Sequence, residues 1–123
     1  MTSPQAVARI LTAANLHNRP QEHLWIIALD SSNNIVGIFE GGRGSVGSAA
    51  FSPRTIIQPL LTVNASAAIL AHNHPSGNLK PSDSDIETTK ELNEFLKVVD
   101  IMLLDHVIIS RNGYKSLKVG GLF

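Results

Sequence analysis

An α/β fold, layered around a mixed β-sheet, is what this sequence predicts, and three observations predict it. Residues 24–29 and 65–71 form nearly continuous apolar runs, the pattern of strands covered on both faces. Around them lie stretches that carry apolar residues at helical spacing. In chain order these patterns give helix, two strands, helix, strand, helix and a closing strand hairpin, with no repeat, linker or low-complexity segment. A chain of 123 residues supports one domain, 1–123, with a single core.

Each element has a local reason. Ser3-Pro4 starts the first helix, with a capping hydroxyl and proline at the first helical position. Val7, Ile10, Leu11 and Ala14 then share a face, and Asn18-Arg19-Pro20 ends it. The run at 24–29 is the first strand, and a polar turn at 30–34 leads into a second at 35–39. Ser52-Pro53 opens the second helix, with Ile56, Ile57, Leu60 and Leu61 inward. Pro59 inside it should bend the helix, because its ring crowds the carbonyl of Thr55; the sequence suggests no function for it. The third helix starts at Ser82 or Ser84 and places Ile86, Leu92, Phe95, Leu96 and Val99 on one face. A buried strand at 101–109 follows, and Asn112-Gly113 reads as a type I′ turn returning through 114–117. The glycine-rich stretch 41–47 lacks the lysine and helix start of a phosphate loop, so it reads as a flexible loop or bulged strand, with a short strand near 49–51.

Composition narrows the function classes. Hydrophobic residues make up 43% and charged residues 16%, which is globular rather than disordered. Ten basic residues balance ten acidic ones, so there is no excess positive field to hold a phosphate backbone. With no cysteine, disulfides and thiolate ligands are excluded, which suits a reducing compartment. No apolar stretch is long enough to span a bilayer and no signal-peptide core begins the chain, so a soluble cytoplasmic protein is expected.

The most informative segment is residues 72–85. His72 and His74, spaced i and i+2 on an extended backbone, point the same way, so both rings can reach one metal ion. Asp85, eleven residues after His74 at a helix start, can add a carboxylate oxygen. Three protein ligands with a fourth position open is the arrangement of a catalytic zinc. Plainer explanations exist. A lone histidine is usually a core or surface residue, Ser82-x-x-Asp85 is close to a capping box, and Ser84-x-x-Glu87 is a full one. Capping and ligation are compatible, since a cap fixes the helix start and its first turn aims Asp85.

The spacing H-x-H, seven residues, then S-x-x-D resembles the JAMM (MPN-plus) metalloprotease signature, filled here by His72, His74, Ser82 and Asp85. The words Ala71-His72-Asn73-His74-Pro75-Ser76-Gly77, Leu104-Asp105-His106 and Gly113-Tyr114-Lys115-Ser116 are similar to the RadC-like branch of that superfamily. The resemblance runs from the helix before Glu22 to Ser116. It implies a JAB/MPN-like (cytidine-deaminase-like) fold, a mixed sheet flanked by three helices. It implies one Zn2+ per chain, held by His72, His74 and Asp85, in a metallopeptidase that cleaves a peptide or isopeptide bond with metal-activated water. It also implies that Ser82 donates a hydrogen bond to the oxyanion of a tetrahedral intermediate. The family's catalytic glutamate follows the first helix at the entry to the first strand, which points to Glu22. Glu40 is the rival base; Glu22 is preferred because a base must neighbour the metal without ligating it. His17, His23 and Trp25 have no ligand spacing and read as structural. Asp105-His106 reads equally well as an acceptor for a ligand imidazole and as a structural pair.

Two rival functions remain. The family's traditional name points to DNA repair, and His72-Asn73-His74 spells HNH. In HNH nucleases, however, those letters are spread over a hairpin and helix, and the charge balance argues against stand-alone DNA binding. Some MPN domains are metal-free scaffolds, but those lose ligands, whereas every ligand position is filled here. The expected partner is a peptide or protein substrate, with homo-oligomerisation open and the metal best suited being zinc.

Overall fold

The computed structural model describes residues 3–43 and 52–123, with backbone alone at Arg43. The glycine-rich residues 44–47 and the short strand expected near 49–51 lie outside the described residues. The elements run α1 (Pro4–Ala13), a 3₁₀ turn (Leu16–Asn18), β1 (His23–Leu29), β2 (Ile35–Arg43), α2 (Pro53–Thr62), β3 (Ala67–Asn73), α3 (Asp83–Val98), β4 (Met102–Ser110) and β5 (Gly113–Ser116). This is the order the periodicities predict.

The five strands form one sheet in the order β2-β1-β3-β4-β5. Only β3 and β4 pair in parallel; the other neighbours are antiparallel. The sheet is therefore mixed, and the parallel pair is joined by the crossover helix α3, as adjacent parallel strands require. Helices cover both faces. Val7, Ala8 and Leu11 of α1 pack with Trp25, Ile27, Ile69 and Val107 on one side. Ile56 and Leu60 of α2, with Leu92 and Leu96 of α3, pack against Leu24, Ile26, Ala68 and Leu70 on the other. This double cover explains why β1 and β3 are apolar throughout rather than alternating. Among the described residues no helix is long and apolar enough to cross a membrane.

Local chemistry sets most boundaries. Ser3, Ser52 and Ser82 cap the three helices, accepting from the backbone N–H of Ala6, Thr55 and Asp85. Five expectations need correction. Helical spacing puts Ile10, Leu61 and Phe95 on inner faces, yet they are 41%, 55% and 49% exposed. The buried stripe of α3 is instead Asp85, Thr89, Leu92 and Leu96, because polar residues occupy its inner positions near the site. The helix cap is Ser82 with Asp85, and Ser84 lies inside the helix, so Ser84-x-x-Glu87 is not the capping box. The closing turn is Arg111-Asn112, with Ser110 paired to Gly113, rather than Asn112-Gly113. Neither turn residue has positive φ, so it is not a type I′ turn; Gly113, at φ 120°, takes the strained position instead.

Leu70 is fully buried at the sheet centre. Leu70→Ala should lower unfolding free energy by about 2–5 kcal/mol. Phe95→Ala should change it by no more than about 0.5 kcal/mol, as surface substitutions do. Denaturant titration of both variants checks the contrast; an equal loss would place Phe95 in the core.

Candidate metal centre

The centre forms where β3 runs out. Ala68, Leu70 and His72 alternate onto the face covered by α2 and α3, and Asn73 faces the opposite way. The backbone N–H of His74 still donates to Ile109 O (3.0 Å), so the strand alternation extends one residue and aims His74 beside His72. Their Nε2 atoms lie 2.8 Å apart.

Asp85 arrives from the first turn of α3. Its backbone N–H donates to Ser82 Oγ (3.0 Å), and its Oδ2 accepts the Ser82 N–H (2.8 Å). The cap thus holds the carboxylate by one edge. Its oxygens lie 3.5 Å from His72 Nε2 and 3.4 Å from His74 Nε2. Burial opposes ionisation of Asp85, but hydrogen bonds from both imidazoles, the charge of His72 and the Ser82 N–H outweigh it and hold the carboxyl well below its ordinary range. The same contact raises His74 above the ordinary histidine value, against the opposing effect of burial. The hydroxyl of Ser82 serves the cap, accepting the Asp85 N–H.

Glu22 completes the cluster from the segment entering β1, with Oε1 3.6 Å from His72 Nε2. Its side chain is 20% exposed, against 3% for Asp85, so it is the carboxylate on the solvent side. Asn73, wholly buried, fixes that segment: its Oδ1 accepts the His23 N–H (2.7 Å), and its Nδ2 donates to the carbonyls of Gln21 (2.9 Å) and Arg19 (3.3 Å). Three bonds from one amide therefore set where Glu22 stands. Glu40 pairs through Oε1 with His23 Nδ1 (2.9 Å), and His23 stacks on Trp25.

Behind the cluster, His72 Nδ1 lies 2.6 Å from His106 Nε2, and His106 Nδ1 lies 2.6 Å from Thr89 Oγ1. Burial drives the His106 pKa well below its ordinary value. His106 is thus the partner of the His72 imidazole, whereas Asp105 is structural: its carboxylate accepts from Ser116 Oγ (2.6 Å), Lys118 N–H and His106 N–H. Nothing in the linear order marks Asn73 or Thr89 as supporting the site beyond their closeness to the motif. The loop after His74 is clasped from the β4–β5 turn. Arg111 donates to the carbonyls of Pro75 (3.1 Å) and Ser76 (2.8 Å), and Ser110 Oγ and Asn112 Nδ2 donate to that of Gly77. Gly77 sits at φ 86°, and a β-carbon there would meet the Arg111 guanidinium at 2.6 Å.

The donor set fits a divalent ion. Glu22, His72, His74 and Asp85 each offer a ligand atom, all within 4.8 Å of one another. Tetrahedral ligands at zinc distances sit roughly 3.3 Å apart, close to the 3.4–3.6 Å spacings that involve carboxylates here. His74 Nδ1 lies 2.8 Å from the carbonyl of Asn78, which can only accept, so Nδ1 carries a proton and in the neutral ring it is the Nε2 lone pair that faces the cluster. A lone pair aimed at a second imidazole nitrogen and two carboxylates calls for a cation.

A family model described as RadC-like JAB domain matches residues 1–122. Among curated proteins, the chain is 42% identical over 123 residues to a UPF0758 protein of Clostridium acetobutylicum, covering 99% of this chain and 53% of the relative. It is 39% identical over 122 residues to a UPF0758 protein of Bordetella avium, covering 99% and 54%. The chain thus spans about half the length of the curated relatives it matches.

Two substitutions test this geometry. His74→Ala should abolish stoichiometric zinc binding in elemental analysis while the circular dichroism spectrum is kept; metal retained in full would remove His74 from the centre. Asn73→Ala should lower stability by about 1–3 kcal/mol or more, because buried backbone groups lose their partner. A denaturation midpoint equal to that of the parent would show the clasp to be idle.

Proposed function

The chain belongs to the RadC-like JAB domain family, and on that premise we propose that it is a zinc-dependent metallohydrolase of the JAMM type that cleaves a peptide or isopeptide bond. The observation that carries the reading is the convergence of Glu22, His72, His74 and Asp85, from three separate stretches of sequence, onto one point. Two imidazoles and a carboxylate suit zinc better than magnesium or calcium, which prefer oxygen ligands. His72, His74 and Asp85 are the ligands of one Zn2+ in this reading. A zinc ion there supplies Lewis acidity, polarising the scissile carbonyl and lowering the pKa of water to near neutrality.

The chain's own residues do the rest. Glu22, on the solvent side of the cluster, takes the proton of the attacking water and passes it to the leaving amine. Asn73 holds Glu22 at that position through its bonds to Gln21 O, Arg19 O and His23 N–H. Ser82 Oγ is fixed by accepting the Asp85 N–H, and it turns its own proton toward the developing oxyanion. A peptide or protein substrate is supported by the even charge balance, which offers no phosphate-binding excess. The cysteine-free sequence suits a cytoplasmic location.

Glu22→Gln keeps size and hydrogen bonding but cannot accept the proton. On a library of peptide and isopeptide substrates, it should retain zinc and lose about two to four orders of magnitude in rate. Glu40→Gln should alter neither quantity. Inactivity of Glu40→Gln with activity in Glu22→Gln would move the base to Glu40. Loss of zinc in Glu22→Gln would make Glu22 a ligand.

A further inference from the structure

We propose that Thr89 and His106 are positioning residues that set the ring tautomer of His72, so that helix α3 delivers Asp85 and also turns the His72 lone pair toward the same point. The inference rests on the metal-centre reading of His72. It starts from a carbonyl. Thr89 Oγ1 lies 2.6 Å from the Asp85 carbonyl oxygen, one helical turn back. A carbonyl only accepts, so the single hydroxyl proton of Thr89 is committed there. Thr89 Oγ1 also lies 2.6 Å from His106 Nδ1. Having no second proton, the hydroxyl must accept in that contact, and His106 therefore carries a proton on Nδ1.

His106 is 1% exposed, and no carboxylate contacts its ring, the nearby Asp105 bonding only its backbone N–H. A ring so enclosed is neutral and has one N–H. Its Nε2 is then a lone pair, and it faces His72 Nδ1 at 2.6 Å. His72 must donate across that contact, which leaves the lone pair of His72 on Nε2. That nitrogen is the one beside His74 Nε2, Asp85 Oδ1 and Glu22 Oε1. The direction of each hydrogen bond follows from the one before it. His74 reaches the same state by a separate route, through the Asn78 carbonyl. Thr89 and His106 thus act only through His72, and neither touches the ion's position.

Long-range 1H–15N correlation spectra of histidine-labelled apo-protein, at alkaline pH, read the tautomers directly. The expected result is Nδ1–H for both His72 and His106. A proton on Nε2 of either ring overturns the proposal. Thr89→Val keeps the shape but removes the acceptor for His106. It should shift the His106 ring to the Nε2–H form, reverse the His72 contact and weaken zinc binding roughly ten- to a hundredfold, as loss of a ligand's hydrogen-bond partner does. Thr89→Ser restores the hydroxyl and should recover both the spectrum and the affinity. Unchanged tautomers and affinity in Thr89→Val would also overturn it. The two readings fail separately. Correct tautomers in a protein that binds no zinc would sink the metal centre and leave the relay. Zinc bound by a protein with His72 protonated on Nε2 would do the reverse.

Discussion

Because β3 and β4 are adjacent and parallel, the chain leaving β3 must travel back along the sheet before β4 can begin, and α3 makes that journey. The helix start is thereby brought to the end of the sheet where β3 finishes. His72 and His74 stand at that strand end and Asp85 stands in the first helical turn, so a single crossover brings all three together. The antiparallel pairing of β1 to β3 places the start of β1 at the same end, with Leu24 opposite His72. Glu22 precedes that start by one residue. The cluster is a consequence of topology before it is one of side-chain chemistry.

The fold was legible because strands covered on both faces show as unbroken apolar runs and because serine caps announce the helices. The histidine pair of the cluster was legible because period-two alternation lets two histidines be placed on one face without knowing the sheet. Other features depend on neighbours that a linear reading cannot supply. Phe95 has the helical spacing of a core residue, yet the inner stripe of α3 passes through Thr89, whose value lies in contacts 17 residues away with His106. Asn73 carries no signal of its own between His72 and His74, and its three partners lie 50 to 54 residues earlier in the chain. Whether Asp105-His106 meets an imidazole of the motif or is a structural pair has no answer in the linear sequence; in the fold His106 lies beside His72 and Asp105 beside Ser116.

Such a site is a burden on the fold that contains it. His72, Asp85, Thr89 and His106 are all nearly or wholly buried where Leu92 and Leu96 would otherwise extend the apolar layer. Burying polar groups is tolerable only when each has a partner. Here the Asp85 carboxylate answers to Ser82 N–H, and His106 to Thr89 and His72. What is left without a matching donor is the facing pair of Nε2 atoms of His72 and His74, next to the carboxylates of Glu22 and Asp85. Stability has been given up at one point, and that point is the cluster that could hold a metal ion.

The clasp at Gly77 ties two distant positions into one heritable unit. The guanidinium of Arg111 occupies the space in which a side chain at 77 would begin, and the backbone there is left-handed. A lineage that replaces Gly77 must displace Arg111 and strain the loop, while one that loses Arg111 frees the carbonyls of Pro75 and Ser76. Neither residue belongs to the cluster, yet both are bound to the fate of His74, one and two positions before those carbonyls. Drift in this protein is therefore expected to move Gly77 and Arg111 together, as co-inherited neighbours that the linear chain keeps far apart.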